Sequence, residues 1–164
     1  ELFDIIKQLV KCYALLQKNN ISHRDVKPQN VLILNGLYKL CDFGEARNIS
    51  GKNGYIHQPI RGSELYMSPI LFDALNNNEL DVLHNSYKSD VFSLGMCIFL
   101  AATLSFDCLY EIREEKNMKN IKKILEKYLI PRYSRNLVNI LYNMLQIDED
   151  LRPNFIELEK IIFH

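Results

Sequence analysis

Apolar residues recur at three- and four-residue steps over the first sixteen positions: Leu2, Phe3, Ile5, Ile6, Leu9, Val10, Tyr13 and Leu16. That spacing gathers them on one face of a helix, which ends near Asn19-Asn20. The next stretch is polar and contains Lys27-Pro28. A residue before proline is pushed out of the helical region, so a loop is expected there. Two short apolar runs come next, VLIL over 31–34 and LYKLC over 37–41, joined by Asn35-Gly36. Asn-Gly between apolar runs is the signature of a tight hairpin turn, which predicts two short strands. From Asp42 to about Pro69 no period is sustained. Glycines at 44, 51, 54 and 62 mark a long loop, and long loops in compact domains are often functional.

Beyond this loop the pattern is helical. Residues 70–76 read as a short helix and NNNELDVLHNSY, 76–87, as a polar loop. Residues 89–104 are apolar nearly all round, with Ser89 or Asp90 near the cap. The run VFSLGMCIFLAATL is shorter than the roughly 20 residues that a membrane span needs, so it predicts a buried core helix. Ile121, Ile124, Leu125, Tyr128 and Leu129 predict an amphipathic helix, and Leu137, Val138, Ile140, Leu141, Met144 and Leu145 another. IDEDLRPNF then turns the chain into a last helix. The expected order is helix, small β-element, long loop, then helices only.

Composition narrows the class. The 164 residues are 48% hydrophobic and 24% charged, enough to build a core. Their number suits one domain or one lobe of a larger one. Twenty basic and twenty acidic residues leave no net charge, which argues against a nucleic-acid surface. IREEKNMKNIKK, 112–123, mixes signs and reads as a solvated helix face. Cys12, Cys41, Cys97 and Cys108 are widely spaced, with no CxxC, and read as reduced small hydrophobes. With no secretory leader or membrane span in the sequence, an intracellular, cytoplasmic location is expected, away from membranes. The chain opens at Glu1 inside an amphipathic pattern, so a longer parent chain is expected.

The chemistry concentrates in HRDVKPQN, 23–30, and in DFG, which begins at Asp42, 42 − 30 = 12 residues after Asn30. These two stretches resemble the catalytic and metal-binding loops of the eukaryotic protein kinases. GSELYMSP, 62–69, resembles the end of an activation segment. SDVFSLG, 89–95, resembles the start of the buried central helix, and DLRPNF, 150–155, the late arginine motif. The resemblance covers essentially the whole chain. It implies a mainly α fold, the C-terminal lobe of a protein kinase, with a small β-hairpin near the catalytic loop. Residues 1–164 would then be a partial kinase domain.

The resemblance implies phosphoryl transfer from ATP with Mg²⁺. Such a reaction needs an oriented nucleophile and neutralised phosphate charge more than covalent help. Asp25 would orient or accept the proton of the substrate hydroxyl. Lys27 would place a cation on the transferring phosphate. Asn30 and Asp42 would offer hard oxygens to Mg²⁺. Leu32 would floor the adenine, with Val31 and Ile33 beside it, and Cys41 would border the nucleotide. Lys27 and Ser63 resemble the serine/threonine group. His23 and Phe43 would pack in a stack between lobes, and Asp90 would anchor the buried helix to the catalytic loop. The implied partners are a protein substrate and the chain's own N-terminal lobe, which is expected upstream because the six glycines never form GxGxxG and no VAIK-type lysine occurs. Residues 1–164 alone are therefore expected to be inactive. Two rivals stand beside this reading: a pseudokinase or scaffold that only binds partners, and a small-molecule kinase.

Two departures mark the chain. Ile70 replaces the glutamate of the Ala-Pro-Glu motif, so Arg152 must find Asp73, Glu79, Glu149 or water. NNNELDVLHN lengthens the span from Ile70 to Asp90. Arg24 resembles the arginine that binds an activating phosphate, yet HQPIR, 57–61, carries no hydroxyl. Ser50, Tyr55 or no phosphate at all remain open as the switch.

Overall fold

Helix α3, Ser86–Thr103, is apolar all round because it is covered all round. Val91, Leu94, Met96 and Phe99 on it are almost wholly buried. The other helices lay apolar stripes against it and against one another. A computed structural model describes residues 1–51 and 53–163. It is mostly helical, with α1 at Leu2–Lys18, α2 at Pro69–Asn76, α4 at Phe106–Glu114, α5 at Met118–Leu129, α6 at Arg135–Met144 and α7 at Phe155–Phe163. Among the described residues no helix is long and apolar enough to cross a membrane.

The predicted periodicity of the first helix is realised in α1, whose Ile6, Leu9, Val10 and Tyr13 enter the main core. Tyr13 stacks on Phe155 of α7 at 4.8 Å between ring centres, and Gln17 Oε1 accepts from Phe155 N at 2.9 Å. These contacts fix the last helix against the first.

Among the described residues, three two-stranded antiparallel sheets decorate this core. Strands β2, Val31–Leu34, and β3, Leu37–Leu40, form the predicted hairpin, with Asn35 and Gly36 both at positive φ as the turn requires. Its register pairs Val31 with Leu40 and Ile33 with Tyr38, on the face turned to α1, where Gln8 Oε1 accepts from Tyr38 N. Strand β1, Ile21–Ser22, pairs with β4, Arg47–Asn48.

The third sheet is a departure from the sequence reading. Residues 42–69 and 76–87 are both expected as loops, yet β5, Tyr55–Pro59, pairs with β6, Asp81–Asn85. The sequence hides this pair because neither run alternates cleanly and their partnership is long-range. The central helix also starts earlier than expected. Asn85 caps it, its Oδ1 accepting from Lys88 N at 3.2 Å, so Ser89 and Asp90 lie inside the first turns.

Helix α4 is a second departure. The mixed-charge run 112–123 is not one solvated face: Glu115 turns extended, and Asn117 caps α5 by accepting from Lys119 N. Ile112 and Arg113 are buried.

Arg152 resolves its open partner in an unexpected way. It is 1% exposed, and none of Asp73, Glu79 and Glu149 pairs with it. Backbone carbonyls take its donors instead: Nε reaches Gln146 O at 2.9 Å, Nη1 reaches Lys88 O at 3.1 Å, and Nη2 reaches Ile147 O at 3.2 Å. The guanidinium also lies 4.9 Å from the Phe92 ring centre. Burial pulls its pKa down to about 10, with Glu149 and Asp148 pulling back, so it stays charged at neutral pH. Replacing it strands buried acceptors. Arg152→Met is expected to lower unfolding free energy by about 2–4 kcal/mol in urea titrations. Arg152→Lys should recover little, because an ammonium cannot span the three carbonyls.

Candidate active site

Strand β1 delivers the chain into the polar run that starts at His23. What holds this run is a carboxylate from below. Asp90 of α3 is 4% exposed and accepts from Ser22 Oγ at 2.7 Å, His23 N at 2.8 Å and Arg24 N at 3.0 Å. Arg24 takes a positive φ of 67°, so both backbone N–H groups can converge on one side chain. Burial pushes the Asp90 carboxyl up, while Ser22 and the two N–H groups work against it.

His23 is fully buried, and its hydrogen bonds fix its tautomer. Nδ1 accepts from Asp25 N at 3.3 Å, so Nε2 carries the proton and donates to Cys41 O at 3.0 Å. Its ring lies 5.1 Å from Phe43 and 6.0 Å from Tyr13. The His23 and Phe43 rings therefore meet, tilted at 54°, and the contact continues to Tyr13 in the core.

Three predicted side chains converge on Asp25. Its Oδ2 receives Lys27 Nζ at 2.9 Å and Asn30 Nδ2 at 3.2 Å, while Oδ1 receives Ser63 Oγ at 3.1 Å. Asn30 Nδ2 also donates to Asp25 O at 2.8 Å, closing a small ring. The short turn Pro28–Asn30 makes this possible: Asn30 N bonds back to Lys27 O, which points the amide at Asp25. Burial alone would raise the Asp25 pKa. Lys27, Ser63 and Asn30 outweigh it and hold the carboxyl below its ordinary value of 3.8, so Asp25 is an ionised acceptor at neutral pH.

Asp42 comes alongside through the backbone, because Cys41 N bonds to Asn30 O at 3.0 Å. Asp42 is exposed, with φ of 58°, and among the described residues its Oδ1 accepts only from Gly44 N at 3.3 Å. With Nδ2 committed to Asp25, the Asn30 amide presents its oxygen as the remaining group. Asn30 Oδ1 and the Asp42 carboxylate are thus hard oxygens left over for a divalent cation, a donor set that fits Mg²⁺. No hydrogen bond ties Asp42 to Asp25 among the described residues. Leu32 lies apart from these groups on the outer face of the hairpin, 54% exposed. Cys41 is half-buried, its thiol 4.0 Å from Gln29 O.

A cleft of about 370 Å³ opens at Asp25, lined also by Lys27, Glu45, Arg61, Ser63 and Met67. Its far wall depends on a residue that the sequence reading places in a solvated face. Arg113 is in fact 8% exposed and donates to the carbonyls of Glu64 and Met67. Its guanidinium lies 4.0 Å from the Phe72 ring centre, and burial lowers its pKa to about 10. The signal that could have found it is in FDCLYEIRE, where Leu109, Ile112 and Arg113 share one face of a helix.

Known proteins resemble this chain in sequence. A family model described as protein kinase domain matches residues 1–163. The chain belongs to the eukaryotic protein kinase family. It is 33% identical over 168 residues to the serine/threonine-protein kinase ULK3 of Xenopus laevis, covering 96% of this chain and 32% of that protein. It is 32% identical to the probable serine/threonine-protein kinase FMP48 of Saccharomyces cerevisiae, over 79% of this chain and 39% of that protein. It is 34% identical to the dual specificity mitogen-activated protein kinase kinase mek-1 of Caenorhabditis elegans, over 92% of this chain and 41% of that protein. The chain thus spans between about a third and two-fifths of these relatives' lengths.

The Asp25 environment makes a pH prediction. A carboxyl depressed in the folded state adds stability above its unfolded value, and that stability fades as pH falls through the folded value. In Lys27→Met the lowering by lysine goes and burial remains, so Asp25 should titrate at higher pH than in the parent. The carboxylate carbon chemical shift tracked against pH measures this, and an unmoved titration would refute the assignment.

Proposed function

We propose that residues 1–164 form the C-terminal lobe of a serine/threonine-type protein kinase domain, which moves the γ-phosphate of ATP to a protein hydroxyl. The observation that carries this reading is the Asp25 carboxylate. It is kept ionised by Lys27, Asn30 and Ser63, and it opens onto a cleft. A substrate Ser or Thr hydroxyl entering the cleft would donate to Asp25, which aligns its oxygen for in-line attack. Ser63 and Asn30 hold the carboxylate still while Lys27 presents positive charge beside it. Asn30 Oδ1 and the Asp42 carboxylate would hold Mg²⁺, which supplies charge neutralisation on the phosphates when bound.

The outer face of the β2–β3 hairpin is suited to a partner lobe. Leu32, Leu34, Leu37 and, nearby in sequence, Phe43 are each about half exposed. Leu32 is suited to lie under the adenine, with Cys41 at the border of the nucleotide. An N-terminal lobe of the same domain would cover this face and supply the phosphate clamp.

The test is phosphoryl transfer by the protein carrying its native upstream sequence, with radiolabelled ATP, Mg²⁺ and a peptide library of Ser, Thr and Tyr acceptors. Asp25→Asn is expected to lower kcat by roughly 10²–10⁴-fold with ATP binding retained. Residues 1–164 alone are expected to transfer nothing. Equal transfer by Asp25→Asn and parent would overturn the assignment of Asp25, and no transfer by either would favour a binding role.

A further inference from the structure

The β5–β6 pair holds the segment that carries Ser63, and it does so with groups that need no modification. The pairing runs through five residue pairs, Tyr55 with Asn85 to Pro59 with Asp81. Backbone bonds close it at both ends, Ser86 N to Gly54 O at 2.8 Å and Ile60 N to Leu80 O at 3.4 Å. Antiparallel ladders alternate bonded and non-bonded pairs. The two end bonds therefore place ladder bonds at Ile56–His84 and Gln58–Val82. Pro59 falls at a position where no N–H is required.

The sheet is fastened to the core. Gly54 has φ of +88°, and a Cβ there would meet Asn85 Oδ1 at 2.7 Å and Tyr87 Cδ2 at 2.8 Å, so the chain lies directly on the start of α3. Asn85 caps α3, donates Nδ2 to Asn53 O at 3.3 Å and offers its N–H to Glu149 Oε2 at 3.1 Å. Tyr55 donates its hydroxyl to Asp150 Oδ1 at 2.8 Å. Beneath the far end, Arg24 Nη2 donates to Pro59 O at 2.7 Å. Four residues beyond Pro59, Ser63 reaches Asp25.

The pairing and its anchors are all made by unmodified groups. Arg24 commits Nη2 to the Pro59 carbonyl, while burial and the nearby Arg47 and Arg61 lower its pKa, and the Ser50 hydroxyl donates to Asn48 Oδ1 at 2.6 Å. Tyr55 faces Asp150, with Asp148 and Glu149 near enough to hold its phenol proton, and a phosphate there would meet like charge. We propose that residues 79–85 are a built-in strap, a positioning element for Ser63 and Asp25, so that phosphoryl transfer proceeds with residues 42–69 unphosphorylated. This rests on the kinase reading given above.

The experiment uses the protein with its native flanking sequence. It is treated with a broad-specificity phosphatase, and mass spectrometry verifies that residues 42–69 carry no phosphate. Its kcat and KM for peptide are expected to match the untreated protein. In parallel, Val82→Pro removes a ladder N–H, whereas Leu83→Pro changes an exposed residue at a non-bonded position. Val82→Pro is expected to lower kcat by roughly 100-fold with the KM for ATP unchanged, the effect of a misplaced catalytic group. Leu83→Pro should retain parental kcat, and thermal melts verify that both variants fold. Activity that disappears on dephosphorylation, or survives in folded Val82→Pro, would overturn the strap while leaving Asp25-dependent transfer standing. A parent that transfers no more phosphate than Asp25→Asn would overturn both readings. Should Val82→Pro fail to fold, the phosphatase comparison decides alone.

Discussion

One buried carboxylate organises the molecule. Asp90 stands on the central helix and collects two consecutive backbone N–H groups, of His23 and Arg24, and the hydroxyl of Ser22 just before them. Irregular backbone can be buried only when its polar groups are paired. Asp90 supplies that pairing, which lets a loop sit on the core without regular secondary structure. Because α3 is itself enclosed by the other helices, the loop inherits the position of a buried element at the centre of the core. The tautomer of His23, the aim of Asn30 and the ionisation of Asp25 all depend on a loop fixed at its root.

The polar groups near this root form a relay of restraints rather than a cluster of charges. Asp90 holds the backbone at His23, His23 holds the carbonyl of Cys41, and the next residue on is Asp42. Asn30 binds Asp25 through its side chain and Cys41 through its backbone, so one short turn joins the two acidic positions.

Legibility in the sequence depended on distance along the chain. HRDVKPQN can be read because its groups lie within eight residues and each residue type has a restricted chemistry. The hairpin at Asn35-Gly36 and the helices with clean periodicity are equally local. The β5–β6 pair escapes such a reading because its strands are more than twenty residues apart and each is stable only on the other. The early start of α3 escapes it for a related reason: Asn85 acts as a cap only once Gly54 and Glu149 have brought the strand to it. Arg113 misleads because charge in a sequence says solvent, and only tertiary packing offers it the carbonyls of Glu64 and Met67.

At Arg152 a buried cation is held by the main chain. Carbonyls at Lys88, Gln146 and Ile147 are furnished by the backbone whatever side chain is attached there. No acidic position must then be kept in step with the arginine, and no proton can titrate away its partner. Position 70 is released from any electrostatic duty and filled by an isoleucine that joins the apolar cluster under α2. The substitution that looks like a loss in the linear sequence thus transfers a constraint from side-chain identity to backbone path, where point mutations seldom reach.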